Sequence, residues 1–552
     1  MVDVGHILKR ELTGRKLAFN LFFYGTHIGL FAFGWWKQNS DPRLALLNTL
    51  KFSVWISRGA GLVLGYDGAL IVLPVLRNVI MFLRPKLAWL MPLDENIFFH
   101  RQVAYSILFF TIVHTTAHYV NFIVVEQVQA RPGDTAAGIH YTMPGGFTGH
   151  VMLVIMMAMY TTAHKKIRQQ CFEAFWYTHH LFIFFLIGLY THATGCFVRG
   201  ALPGEPVKCL GYFTWHFTVP CGALYFLERM WREVRARRQT NLIGVLMHPS
   251  GAMELRFRKP SFKYVSGQWL FLNVPDVSTF QWHPFTISSS PLYDDYVSVH
   301  IRQAGDWTHA LGERLGCTTA LAAQLTRDAK SGSDLDTVGQ YGQASFTDVS
   351  KMNPNASLPT IRVDGPYGAP AEDVCSFECA VLVATGIGVT PWASVLKTII
   401  AKYRSNTLKP LRRVYFIWLN RDASGFEWFA SMLRELEGQI DDPDLVSIQT
   451  YLTSNLTQDQ INNVVMNADD DADPLTSLRS RTQFGRPNWS QFFGKIRNGI
   501  ETGSLMPGRE SALKTNVGVF YCGPPVLAKT LKEECGKAKS SSVNFKLYKE
   551  HF

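Results

Sequence analysis

Residues 92–121 read PLDENIFFHRQVAYSILFFTIVHTTAHYVN, and residues 171–192 read CFEAFWYTHHLFIFFLIGLYTH. Each is an apolar, aromatic run long enough to cross ~30 Å of hydrocarbon as a helix. Each also carries a spaced pair of histidines: His100 and His114 lie fourteen residues apart, His179 and His192 thirteen. Histidine inside a membrane span is uncommon and usually functional. At a rise of ~1.5 Å per residue, either pair separates its two rings by ~20 Å along the helix. Two such helices side by side can therefore hold one planar macrocycle near each leaflet, with His100 and His179 at the inner level and His114 and His192 at the outer. Fourteen residues return a side chain to within ~40° of the same face, but thirteen leave it ~140° away, so the second helix is expected to be locally distorted. One such histidine alone would be read as a hydrogen-bonding group in a polar bundle core. Because His27, His118, His150, His180 and His216 also fall in or beside apolar runs, the matched spacing is what points to metal ligands.

Outward from these two runs, four more are apolar enough to span. The six lie near 17–36, 52–82, 100–124, 147–163, 174–193 and 209–228. Lys and Arg set the orientation. Lys9, Arg10, Arg15 and Lys16 precede the first run, Arg84 and Lys86 follow the second, and Lys165, Lys166 and Arg168 follow the fourth. Arg229, Arg232, Arg235, Arg237 and Arg238 follow the sixth, whereas the alternate loops are poorer in basic residues. Both termini are thus expected in the cytosol, after a short segment (1–16) and a membrane domain (17–228). The formal net charge is +11. Its basic residues flank the apolar runs rather than forming a basic domain, which suits lipid headgroups and argues against nucleic acid. No cleavable signal is expected. The nine cysteines include no C-x-x-C pair, which argues against a structural zinc site.

Beyond a basic linker (229–240), residues 241–370 alternate apolar and polar positions between turn signals and predict a small antiparallel β-barrel. Residues 371–552 alternate strands with helices in the doubly wound manner. Loops are expected at 319–358 and 465–488. In the barrel, His283, Pro284, Phe285 and Thr286 follow a strand, and the small hydroxylated residues after them suit close approach to a flavin ring and ribityl chain. His300, Ile301 and Arg302 lie on another strand, where Arg302 can meet a pyrophosphate with its guanidinium fork. A D-G-P-Y-G stretch containing Gly365 and Pro366 closes the barrel. After the strand CAVLVA, the turn with Gly386 and Gly388 opens a helix at Pro391, the arrangement that lays a dinucleotide pyrophosphate against a helix N-terminus. Cys522, Gly523 and Pro524 follow a later strand, near the expected nicotinamide pocket. An acidic stretch at 469–473 mimics the start of a calcium loop but has Pro474 where Gly is required and Ser480 where Glu is required, so it is read as a solvated acidic loop.

The two opening runs, with HPFT, HIR and the G-D-W-T of residues 305–308, resemble the NADPH oxidase family along nearly the whole chain. The likeness is greatest to the large catalytic flavocytochrome b subunit of the phagocyte type, in a fungal member. The resemblance implies haem b at both levels with the pairing given above, FAD on HPFT and HIR, and NADPH as the electron donor. It also implies Arg421 and Arg486 near the extra phosphate, and Phe552 against the flavin ring. Positions matching Arg58 and His118 flank the family's oxygen site, where a positive charge and a donor would stabilise a forming superoxide. Cys196 and Cys209 bracket the third external loop and are expected to form a disulfide. Partners implied by the resemblance are a small membrane protein, cytosolic organiser subunits and a Rac-type GTPase, in the plasma membrane or an endomembrane. A ferric-chelate reductase would share the same electron path, and a proton pathway or inactive scaffold is the reading from another class.

Overall fold

In a computed structural model, the chain is described over residues 14–550, except 88–92, 129–132, 193–198, 203, 211–213, 249, 332–346, 353–357, 441, 443, 455–457, 467–470 and 508–513. It divides into two compact units, Met1–Trp231 and Arg232–Phe552.

The first unit is helical. Among the described residues, five segments are long and apolar enough to cross a membrane: Leu17–Ser40, Phe52–Val75, Leu93–Gln127, Pro144–Ala163 and Phe172–Thr191. The protein is therefore an integral membrane protein. Its outward faces carry large apolar side chains (Phe22, Ile28, Phe109, Val154 and Met157 are all more than half exposed), as a lipid-facing surface requires. The helices that matter below are α1 (Gly14–Ser40), α2 (Phe52–Leu70), α3 (Asn96–Gln127), α4 (Pro144–Ala163), α5 (Phe172–His179) and α6 (Phe182–Thr191).

Two expectations are refined here. The long run at 52–82 is broken at Pro74, which has no N–H to continue a helix, and a separate helix follows at Arg77–Leu87. The sixth run corresponds to a helix, α7, at Trp215–Ala236. Its last turns carry Glu228, Arg229, Arg232 and Glu233, which keep it out of the five apolar segments. The same helix runs through most of the expected linker, so residues 229–236 are helical rather than an open connection.

The second unit contains two layers of sheet structure. The barrel has strands β1 (Asn241–Met247), β2 (Ala252–Arg258), β3 (Trp269–Asn273), β4 (His283–Thr286), β5 (Val297–Arg302), β6 (Thr347–Asp348) and β7 (Arg362–Tyr367). They pair antiparallel in the orders β5-β2-β1-β6 and β4-β3-β7. Alternate residues such as Val245, Leu255, Phe257, Val299 and Ile301 fill the interior, as the period of two dictates. Gly365 lies within β7, at a register shift against β3 between Trp269 and Phe271. It belongs to a strand irregularity, whereas the sequence suggested a closing turn.

The α/β part has strands β8 (Cys379–Thr385), β9 (Arg413–Asn420), β10 (Val446–Leu452), β11 (Gln483–Phe484), β12 (Thr515–Cys522) and β13 (Val543–Lys549). All are parallel, in the order β11-β10-β9-β8-β12-β13. Helices cover both faces, so β8 is apolar from Cys379 to Ala384. Ala380, Leu382 and Ala384 enter one core, and Cys379, Val381 and Val383 enter the other.

Both expected loops contain order. A helix occupies Thr319–Ser331. In the acidic stretch, Asp473 is 4% exposed. Its carboxylate accepts bonds from the backbone N–H groups of Leu475, Thr476 and Thr482 and from the Thr476 and Thr482 hydroxyls. It is a structural knot rather than a solvated charge, because a carboxylate with that many donors needs no water. Asp469 lies outside the described residues.

Candidate functional sites

In the membrane unit, α3 presents His100 and His114 toward α5 and α6. The His100 and His179 ring centres are 6.2 Å apart, and those of His114 and His192 are 6.3 Å apart. Two imidazoles bound to one ion at the usual ~2.0–2.1 Å metal–nitrogen distance hold their ring centres ~6 Å apart. In three of the four rings the second nitrogen is occupied by protein, whereas His179 Nδ1 has no hydrogen-bond partner among the described residues. His100 Nδ1 donates to Ile71 O at 3.0 Å, and His114 Nδ1 donates to Ser57 O at 2.9 Å. His192 Nδ1 lies 3.0 Å from Thr148 Oγ1, whose own hydrogen goes to Pro144 O. A carbonyl can only accept, so His100 and His114 carry their proton on Nδ1 and present the Nε2 lone pair to the facing ring. This is how metal-bound histidines are oriented. The other membrane histidines differ. His27 bonds Asp67, His150 bonds Tyr119 and His180 bonds its own helix.

The thirteen-residue spacing is accommodated by a break. The fifth span is two helices, α5 ending at His179 and α6 starting at Phe182. His180 N, Leu181 N and Ile183 N each bond the carbonyl three residues back. A 3₁₀ turn rotates ~120° per residue rather than ~100° and so recovers part of the missing angle.

Glycines make room for these rings. A Cβ on Gly61 would stand 3.2 Å from His114 Cε1, and one on Gly149 would stand 3.0 Å from His192 Cε1. Sequence reasoning missed both. Their only signal is a small residue placed within an otherwise bulky span. The outer pair opens on a cavity of about 430 Å3 that Arg58 and His118 also line. The His118 ring centre is 4.5 Å from that of His114. At the outer level the donor set, the His114 tautomer and the glycine clearance fit a haem, and at the inner level the ring separation and the His100 tautomer do so.

In the barrel, His283 lies flat on Trp307 with ring centres 4.0 Å apart, and Phe285 flanks the same indole. Trp307, in the first turn of the helix Asp306–Leu315, thus packs against the HPFT strand. Burial pushes the His283 imidazole down to about 4 and the His300 imidazole down to about 3, so both are neutral at pH 7. His300 Nδ1 bonds Ser288 Oγ at 2.8 Å. Its ring lies beside His248 and Glu254, with ligand atoms within 4.8 Å of one another, but the Glu254 carboxylate already accepts two bonds from Arg256. Arg302, two residues along β5 on the same face, is exposed and available to an anionic ligand, while Ile301 points into the core. Phe552 lies outside the described residues.

In the α/β part, β8 and β12 are neighbours where the strand order reverses, the switch point at which such sheets bind ligands. The loops after these two strands carry the glycine motifs. A Cβ on Gly388 would come 2.6 Å from Cys522 O, and one on Gly523 would run into Thr385 Oγ1. Only glycine permits the two loops to close up beneath the helix α8 (Thr390–Arg404), where Pro391 occupies the first turn. The half-buried Gly386–Gly388 turn that leads into that helix end fits a pyrophosphate. Arg421 follows β9, and Arg486 follows β11 by two residues. Both are exposed at the carboxyl edge of the sheet. Pro366 and Gly365 instead sit on the barrel side, beside Asp364, which is paired with Arg235 at 2.6 Å.

Cys209 is disulfide-bonded, and the other described cysteines are free. Cys196 lies outside the described residues.

Three family profiles match in series. They are the ferric reductase like transmembrane component over residues 60–190, the FAD-binding domain over 238–371 and the ferric reductase NAD binding domain over 377–536. Whole-chain relatives separate the branches of this group. A superoxide-generating NADPH oxidase heavy chain of Dictyostelium discoideum is 34% identical, over 98% of this chain and 97% of its own. NADPH oxidase 1 of Rattus norvegicus is 32% identical over 97% and 98%. NADPH oxidase 3 of Homo sapiens is 31% identical over 96% and 97%. With identity of this degree carried through membrane, flavin and nucleotide parts alike, the chain belongs to the NADPH oxidase family.

Proposed function

We propose that this protein is a superoxide-generating NADPH oxidase that moves electrons from cytosolic NADPH, through FAD and two haems b, to molecular oxygen on the opposite side of the membrane. The observation that carries the reading is the two facing imidazole pairs, His100 with His179 and His114 with His192, both at the separation of a shared metal ion.

When bound, FAD accepts the two electrons of a hydride and releases them singly, and each haem passes one electron onward. The protein's own residues do the rest. The Gly388–Cys522 closure and the start of α8 bind the NADPH pyrophosphate, with Arg421 and Arg486 on the 2′-phosphate. Cys522, Gly523 and Pro524 border the nicotinamide. His283 to Thr286 hold the flavin ring, and Arg302 neutralises the flavin pyrophosphate. By the family resemblance, Phe552 would lie against the flavin ring. At the outer level, Arg58 supplies fixed positive charge and His118 a hydrogen-bond donor to the oxygen being reduced, in a largely apolar cavity where such charges act strongly.

The basic loops favour six spans with cytosolic termini, α7 being the sixth. A Cys196–Cys209 disulfide on the outer side agrees with the bonded state of Cys209. Control by a small membrane protein, cytosolic organisers and a Rac-type GTPase rests on the family resemblance.

Purified protein given NADPH should reduce cytochrome c in a manner abolished by superoxide dismutase, and should show a bis-imidazole haem spectrum on reduction. Ferric-chelate reduction unaffected by dismutase, with no superoxide, would favour the ferric-reductase reading that the profile descriptions also allow.

A further inference from the structure

A second polar set lies inside the membrane and has no part in holding either haem. His27 on α1 is 3% exposed and Asp67 on α2 is fully buried. His27 Nε2 stands 2.7 Å from Asp67 Oδ1, and Ser106 Oγ on α3 donates to Asp67 Oδ2 at 2.6 Å. His27 Nδ1 lies 2.6 Å from Phe23 O, which can only accept, so Nδ1 carries a proton. One further proton occupies the Nε2–Oδ1 bond. Whether it sits on nitrogen or oxygen, the set is neutral overall and holds one proton more than a bare carboxylate beside a neutral histidine.

Its depth is fixed by the same two helices that fix the haems. On α2 and the turn after it, Ser57 supports His114 and Ile71 supports His100. Asp67 lies between them, ~6 Å from the Ile71 level and ~15 Å from the Ser57 level by helical rise. On α3, Ser106 lies ~9 Å from His100 and ~12 Å from His114 by the same rise. The set therefore stands between the two haem levels. The titratable groups facing it are Tyr66, whose ring is 5.7 Å from that of His27, and Tyr160 of α4, which is within electrostatic reach of Asp67 and of Tyr105. Tyr160 hydrogen-bonds Ala104 O.

Resting on the two-haem reading above, we propose that His27, Asp67 and Ser106 form a redox-linked proton site, which takes up one proton when a neighbouring haem is reduced and releases it on reoxidation. An electron added between the leaflets leaves an uncompensated negative charge in a medium of low dielectric, which is costly. In the uptake step the haem gains one electron and the Asp67 carboxylate gains one proton from solvent, while the Nε2 proton stays on His27. Ser106 Oγ turns from donor to acceptor to receive the new O–H. The net charge of the region is unchanged, and both movements reverse when the electron leaves.

The test is a redox titration of the purified full-length haem protein at several pH values across the neutral range, with haem content read on the same samples. In the unaltered protein the midpoint potential of at least one haem should fall as pH rises. The limit is a tenfold change in the ferric-to-ferrous ratio per pH unit, ~59 mV for a one-electron couple. Asp67→Asn removes the carboxylate that takes up the proton, and His27→Gln removes the imidazolium beside it, so that the buried Asp67 is protonated before any electron arrives; each should flatten this dependence while the haem spectrum stays. Ser106→Ala leaves the carboxylate and should move the pH range of the dependence, and it decides the matter should the other two variants fail to load haem. A pH-independent potential in the unaltered protein, or an unaltered slope in the variants, would overturn the proposal. Absence of bis-imidazole haem from the unaltered protein would instead overturn the two-haem reading.

Discussion

His114 and His192 face one another with ring centres 6.3 Å apart, and each is steered by its other nitrogen, His114 by Ser57 O and His192 by Thr148 Oγ1. The pair is thus oriented before any ligand arrives, which is how a site avoids ordering costs on binding. Replacing His114 or His192 by Leu should remove one of two haems, leaving about half the haem absorbance per protein, because the His100–His179 level stands on separate supports. Pyridine haemochrome analysis against protein concentration measures this directly. Loss of all haem from either variant would mean that the two levels are not independent.

Gly61 and Gly149 give a sharper test, since neither would touch the metal. Each stands at the lower limit of tolerable approach to its histidine ring, 3.2 and 3.0 Å for a bare Cβ. Ala needs the ring to yield by a few tenths of an ångström, whereas Val adds two methyl groups at the same place and cannot be accommodated without turning the imidazole. Gly61→Val and Gly149→Val should deplete the outer haem, with the Ala variants close to the unaltered protein. Equal haem loading across all four would show that these glycines serve helix packing only.

Those glycines also mark the limit of what the sequence discloses. The paired histidines, the barrel and the nucleotide sheet are legible because each rests on a period or a spacing along one segment: fourteen residues in α3, alternation in β2 and β5, an apolar strand before Gly386. What the sequence withholds depends on a second segment. Nothing near Ser57 announces that its carbonyl will meet His114, and nothing near Gly388 announces the Cys522 carbonyl against which it closes. Asp473 looks like an exposed acid until Thr476 and Thr482 wrap it. The break after His179 is foreseeable from a thirteen-residue spacing, but its form, a tightened turn at His180 and Leu181, is not.

Acid sensitivity of the flavin domain follows from His300. Burial lowers its folded value from 6.5 to about 3, so the folded protein keeps this imidazole neutral while the unfolded chain takes up a proton below pH 6.5. Stability is then complete above pH 6.5 and declines as pH falls towards 3, at first by about 1 kcal/mol for the first pH unit. His283 acts in the same direction between 6.5 and about 4. The temperature of flavin fluorescence release should drop on going one pH unit below 6.5, and His300→Asn should reduce that drop.

The nucleotide preference turns on Arg421 and Arg486, both exposed at the carboxyl edge of the parallel sheet, one strand apart and past the ends of β9 and β11. NADPH and NADH differ only in the phosphate on the adenosine ribose, so a residue that binds this group changes one cofactor's affinity and leaves the other's alone. A hydrogen bond between charged partners is worth roughly 1.5–3 kcal/mol, or about ten- to hundredfold in binding. Arg421→Ala or Arg486→Ala should each raise KM for NADPH within that range while KM for NADH and kcat change little, and the double variant should approach equal use of both. A parallel loss for NADH would mean that the guanidinium groups support the loop or the shared pyrophosphate instead, and the 2′-phosphate would then have to be bound elsewhere on the same edge.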